Sequence, residues 1–167
     1  MNVDWAEVYR VTYADLLRFI HRKVWDRDRA EDLVQEAFVR ALEHDPDNPR
    51  AWLFRVAGNL ARDEARLVVR RKRHLALLRN ESADRTAAAP TRELEEKERI
   101  ETVKRALAAL GERDRDVLLL LDAGLGYAEI AEQTGLAVGA IGTTLSRARK
   151  RLVEAHTDLE EKHAARR

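Results

Sequence analysis

Side chains able to do covalent chemistry are few in this chain and poorly placed for it. There is no cysteine, and the two serines, Ser82 in a polar stretch and Ser146 in a basic run, are not in a G-x-S-x-G setting. Neither a thiol nucleophile nor a serine triad is therefore expected. The five histidines, His21, His44, His74, His156 and His163, never recur at H-x-x-x-H spacing, and thiolate zinc sites are excluded with the cysteines. Seven glycines form neither G-x-x-x-x-G-K-[ST] nor G-x-G-x-x-G, so phosphate-cradling loops are not expected either. The expectation is a protein without catalytic residues, cofactor or metal.

What remains is recognition chemistry, and it is local. The 31 basic and 30 acidic side chains leave a net charge of +1, so no global field draws in nucleic acid. Two short stretches are nevertheless strongly cationic. Arg62 to His74 holds six Lys/Arg against two acids, and RARKR occupies 147–151. Running into the first of these, Trp52, Arg55, Asn59, Arg62 and Arg66 fall at steps of three and four. On one helix face such a row suits opened DNA: a ring stacks on a base, an amide pairs with its edge, and arginines hold phosphates. A second row, Asp32, Gln35, Glu36 and Val39, has the same spacing and the opposite sign, edged by Phe38 and Leu42. It suits a basic helical partner, with carboxylates meeting guanidinium groups. Each row also has a plainer reading: a solvated acidic face, a core Trp52, and a basic helix end.

Those rows need helices, and the apolar periodicity supplies them. Trp5, Val8, Tyr9, Leu16, Leu17, Ile20 and Val24 mark an amphipathic first helix with room for one break. Ala30, Leu33, Val34, Ala37, Phe38, Ala41 and Leu42 give the core stripe of a second, over 30–43. Pro46 and Pro49 in HDPDNPR end it, and a third runs from about Arg50 to Val69, burying Leu53, Val56, Ala57 and Leu60. Gly58 within that helix costs about 1 kcal/mol relative to Ala, which suggests close approach by another backbone. With 37% charged residues and 5% aromatics, the composition favours long solvated helices, and the fold class expected is all-α.

The period fails over NESADRTAAAPT, predicting a flexible linker at 79–94 between a first domain, 1–78, and a second, 95–160. In the second domain Ile100, Val103, Leu107 and Leu110 restore the helical spacing. Asp114 is the expected cap of a short apolar helix closed by Gly124 and Gly126. Ala131, Gly135 and Ile141 then follow at the spacing of a helix-turn-helix. A small residue lets the helices cross, glycine takes the left-handed turn, and Ile141 seats the second helix. An ordinary helical hairpin is the alternative. The second helix is expected to expose Thr143, Thr144, Arg147, Lys150 and Arg151 to phosphates and base edges.

Taken in order, AEDLVQEAFVRAL, AWLFRVAGNLARDEAR and LGERDRDVLLLLDAGLGYAEIAEQTGLAVGAIGTTLSRARKRL closely resemble the extracytoplasmic-function (ECF) group of bacterial sigma factors. The resemblance covers about Tyr9 to Leu152. It implies a transcription initiation factor whose first domain binds core RNA polymerase and opens the −10 element, while the second reads the −35 element. Asp32, Gln35, Glu36, Phe38 and Leu42 match positions that dock on the β′ clamp helices; the β flap is a further implied contact. The HDPDNPR loop with Trp52 and Asn59 matches the base-capturing segment, Arg62 and Arg66 match positions facing the −10 backbone, and Arg147 and Arg149 match the −35 helix. An anti-sigma factor is an implied partner, and a monomer is expected when the chain is free.

Three departures from the family pattern leave promoter preference open. Gly142, Thr143 and Thr144 stand where a basic residue, Ser and Arg are common, Gly111 replaces a usual proline, and Gly58 replaces a common basic residue. Two other functions compete on the residues alone: a free-standing helix-turn-helix regulator, and a polymerase-binding adaptor that never opens DNA. The longest apolar run, Val117 to Leu121, is too short to span a bilayer. The acids Asp4, Glu7, Asp15 and Asp26 deny the first thirty residues a signal core, so a soluble cytoplasmic protein is expected.

Overall fold

The computed structural model describes residues 3–78 and 92–165. The described residues form seven helices: α1 (Trp5–Val24), α2 (Arg27–Ala41), α3 (Pro49–Leu78), α4 (Arg92–Ala109), α5 (Glu112–Asp122), α6 (Tyr127–Thr134) and α7 (Val138–Ala164). Local chemistry sets each boundary of the first three. The Asp4 carboxylate accepts from the N–H groups of Ala6 and Glu7, starting α1. That helix runs unbroken to Val24 and ends on Trp25, in left-handed conformation at φ 57°, whose N–H returns to the His21 carbonyl. Asp26 caps α2 through the Arg29 N–H, and Asn48 caps α3 through that of Ala51, with Pro49 in the first-turn position where a missing N–H costs nothing.

These three helices pack pairwise around Leu16, Phe19, Ile20, Leu33, Val34, Leu53 and Phe54, with the Phe19 and Phe54 rings 5.3 Å apart. Each such side chain contributes about 1.5–3 kcal/mol on burial. Val56 and Leu60, expected in the core, are only half-buried against its edge. Helix α3 continues to Leu78, well beyond the expected end at Val69. The segment RRKRHLALL is built of residues with good helix propensity and has no glycine or proline to stop it. Of the expected linker, 92–94 belong to α4 and 79–91 lie outside the described residues.

The second group packs α7 against α4, α5 and α6. Val117, Leu120, Ile130, Ile141, Leu145 and Ala148 fill its centre. Gly135 takes φ 71° between α6 and α7, and Ala131 and Ile141 are buried on either side of the turn, which is the helix-turn-helix geometry the spacing called for.

Three further expectations are corrected. Asp114 does not cap α5: Gly111 holds that position, and Asp114 sits inside the first turn, 4% exposed, where it receives Arg147 and Arg151. Thr144 does not face outward. It is 5% exposed because it lies on the same stripe of α7 as Ile141, Leu145 and Ala148. Gly58 meets no backbone, since a β-carbon there would lie 3.7 Å from the Phe19 ring, in ordinary contact.

The two groups are packed on each other. Gln133 Nε2 donates to the Ala51 carbonyl at 2.6 Å, and Arg50 Nη2 donates to that of Ala123 at 2.8 Å. Gly124, at φ 84°, leaves space for the arginine: a β-carbon would stand 3.3 Å from it. Lys23 of α1 is paired with Asp116 of α5, both nearly buried.

Candidate nucleic-acid and polymerase interfaces

Helix α2 presents two unlike sides. Ala30, Leu33, Val34 and Ala37 are buried, while Asp32, Gln35 and Glu36 are exposed. Leu42, expected on the core stripe, stands instead at the C-cap, 69% exposed; Val39 is 65% exposed, and Phe38 is half-buried with its ring 4.9 Å from that of Tyr9. Acidic and apolar groups thus meet on one open surface. Its neighbour Arg29 is held elsewhere, its Nε and Nη2 donating to the two Glu64 carboxylate oxygens at 2.8 and 2.7 Å. That fork holds the Glu64 carboxyl below its ordinary value and raises the Arg29 guanidinium above its own. The pair ties α2 to α3. Asp32 keeps only a 3.6 Å contact to Arg29, and Glu36 pairs with Arg40 one turn along.

On α3 the expected row is present but largely engaged. Trp52 is half-buried, its ring 4.9 Å from His44 and 6.3 Å from Trp5. Arg55 reaches Glu132 of α6 at 3.4 Å. Asn59 Oδ1 accepts from Arg62 at 3.1 Å, and Arg62 pairs with Glu112 and lies 3.5 Å from Asp116, both on α5. The hydrogen bond from Arg62 is the main cause that lowers the Glu112 carboxyl below its ordinary value, and the same bond raises Arg62. Arg66 is exposed, with a long 3.8 Å contact to Asp63. Acids of the second group therefore lie against the row the sequence singled out.

On α7 the expected set divides. Thr143, Arg149 and Lys150 are exposed, Thr144 is buried, and Arg147 and Arg151 turn back to Asp114 at 3.2 and 2.6 Å. Their guanidinium groups keep other donors free to point outward, since Arg147 and Arg151 are 52% and 56% exposed. Ser146 completes the outward face with Gly139, Thr143 and Lys150 at i, i+4, i+7 and i+11. Sequence reading passed over Ser146 as a site residue, though its three-residue step from Thr143 was the available signal.

An all-α molecule with a helix-turn-helix in one group and oppositely charged helix faces in the other defines a class of recognition protein. Sigma-70 region 2 matches residues 8–73 and sigma-70 region 4 matches residues 100–152. The chain is 35% identical over 133 residues to the ECF RNA polymerase sigma factor EcfG of Rhodopseudomonas palustris, covering 75% of this chain and 70% of that one. It is 33% identical to the ECF sigma factor SigC of Mycobacterium tuberculosis, covering 86% and 78%. Among solved structures it is similar to the sigma factor RpoE of Bartonella quintana, in complex with the anti-sigma factor NepR, at a TM-score of 0.65 and 28% identity, covering 91% and 96%. CnrH, in complex with the cytosolic domain of CnrY, is similar at the same TM-score and 25% identity, covering 90% and 85%.

The chain belongs to the sigma-70 family, in its extracytoplasmic-function group. It is a transcription initiation factor that binds core RNA polymerase and directs it to promoters. Sigma factors as a family are not enzymes. No described helix is long and apolar enough to cross a membrane.

Proposed function

We propose that the work of initiation is divided among the three faces. Asp32, Gln35 and Glu36, with Phe38 and Leu42, dock on the β′ clamp helices of the polymerase. Trp52, Arg55, Asn59, Arg62 and Arg66 capture the −10 strand as it separates. Thr143, Ser146, Arg147, Arg149, Lys150 and Arg151 carry α7 into the −35 major groove, with the β flap as the second polymerase contact. The corresponding domains are 1–78 and 95–160, joined by 79–94. The chain itself contributes no bond-making step; RNA synthesis is the polymerase's. Its place is the cytoplasm, as a monomer until it meets polymerase or an anti-sigma factor. The complex of RpoE with the anti-sigma factor NepR supports the anti-sigma reading.

The observation that carries this reading is the two-sided character of α2. A helix whose core side is fully buried keeps carboxylates, an amide and two large aliphatic side chains open to water on the other, a costly surface unless a partner covers it. Reversing the charge with Asp32→Lys and Glu36→Lys should abolish binding to core polymerase and promoter-specific transcripts while leaving the helical circular dichroism and melting unchanged. Undiminished polymerase binding by that folded variant would discredit the docking face.

A further inference from the structure

A cavity of about 510 Å³ lies where the two groups meet. Four helices wall it: the end of α1, the second half of α3, the end of α4 and the start of α5. Eight lysine and arginine side chains line it with a single acid, Glu112; of the eight, Arg62 is paired with Glu112 and Lys23 with Asp116. Arg22, Arg70, Arg73 and Arg115 make no ion pair among the described residues, while Arg66 and Lys104 have only contacts of 3.8 and 4.0 Å to acids of their own helices. Cations gathered round one hollow repel each other, and the arrangement calls for an anion of several charges.

Two features narrow the anion. Helix α5 begins beside the cavity, with Gly111 as an N-cap that offers no side chain to its first N–H groups. The cavity lining also holds apolar groups, Ala61, Ala65, Val69, Leu107 and Ala108, and the aromatic Trp25. Cations, apolar side chains and an indole lining one hollow together suit a chain of phosphates with an aromatic base attached. The volume is that of a small-molecule site, and a duplex cannot enter it.

We propose that this cavity binds linear oligophosphates, free or carried on a nucleoside, and that the bound ligand holds the two groups together. Arg73 belongs to one group and Lys104 to the other, so the ligand is complete in its contacts only when the molecule is closed. Its consequence for initiation rests on the reading above that Arg62 and Arg66 serve the −10 strand: both line the cavity and are withheld while it is occupied. Mass action then favours the closed form in proportion to ligand concentration.

The binding is tested on the free chain, without polymerase or promoter, so its failure leaves the initiation reading standing. Calorimetry at physiological salt compares sodium tripolyphosphate, GTP, ATP and orthophosphate, with sodium sulfate at matched ionic strength as control. Labels on the exposed surfaces of α2 and α7 report closure by energy transfer. Tripolyphosphate and the nucleotides should bind and raise the transfer, and Arg73→Gln or Lys104→Gln should each weaken binding about tenfold. Trp25→Phe should weaken GTP and ATP while sparing tripolyphosphate; equal loss of both would assign the site to phosphate alone and overturn the nucleoside arm. Heats no larger than those of sulfate, or wild-type affinity in the Arg73→Gln, Lys104→Gln double variant, would overturn the site. Binding without any change in transfer would overturn the bridging role.

Discussion

Arg147 and Lys150 stand one turn apart on α7 with the same charge, and their surroundings separate them. Arg147 donates to Asp114, a carboxylate 6% exposed at its side chain, whereas Lys150 has only a 4.0 Å contact to Glu154 and faces water. Lys150→Ala should therefore weaken binding to a −35 duplex and lower the salt slope by about one, with stability unchanged to within about 0.5 kcal/mol. Arg147→Ala should cost affinity and also about 1–3 kcal/mol of stability, because a buried carboxylate loses a charged donor. Salt-dependent anisotropy together with chemical denaturation checks both, and equal stabilities of the two variants would contradict the clasp on Asp114.

At the scale of the element, glycines of one composition do opposite things. Gly135 sits at φ 71°, where an L side chain is strained even in open space, so Gly135→Ala should destabilise the α6–α7 pair by about 1–2 kcal/mol. Gly58 has ordinary helical φ in the middle of α3, and an added methyl would touch Phe19 at normal distance. Gly58→Ala should then stabilise the first group by about 0.5–1 kcal/mol. Urea unfolding of each variant measures the difference; a loss at Gly58 would mean that the Phe19 ring cannot accept the contact. The same logic explains why α3 outruns its expected end. Beyond Val69 every residue of it is exposed, and propensity carries it on.

For the molecule as a whole, closure is an electrostatic matter as much as an apolar one. Lys23–Asp116, Arg62–Glu112 and Arg55–Glu132 all cross between the groups. The hydrogen bond from Arg62 lowers the Glu112 carboxyl when the groups are together, so the closed form binds that proton more weakly than the open form. Closure is therefore fully supported above the ordinary carboxylate range and is lost as pH falls through the lowered value. Energy transfer between labels on α2 and α7 should drop on acidification, and Glu112→Gln should flatten that drop. Salt should loosen Arg55–Glu132, half-exposed on both sides, before it affects Lys23–Asp116. An acid response identical in wild type and Glu112→Gln would remove Glu112 from the account.

The existence of the helices, the turn at Gly135 and the sign of each exposed face are legible in the string of residues. These depend on residues three, four or a few more apart, and a 3.6-residue period expresses itself wherever the segment is placed. The sequence also carried the resemblance, because AEDLVQEAFVRAL and the α6–α7 motif are contiguous strings. Which charges are engaged within the molecule follows only from the packing. Asp114 reads as a cap in its own segment and becomes a buried anchor only when α7 arrives 33 residues later. Thr144 reads as outward until Asp114, Leu145 and Ala148 define which side of α7 is inside. The docking of α5 and α6 on α3 joins residues 50 to 82 apart, such as Arg62 with Glu112 and Ala51 with Gln133. A row of arginines declares its charge in the sequence, but its partner is whatever carboxylate the packing of apolar faces brings within reach.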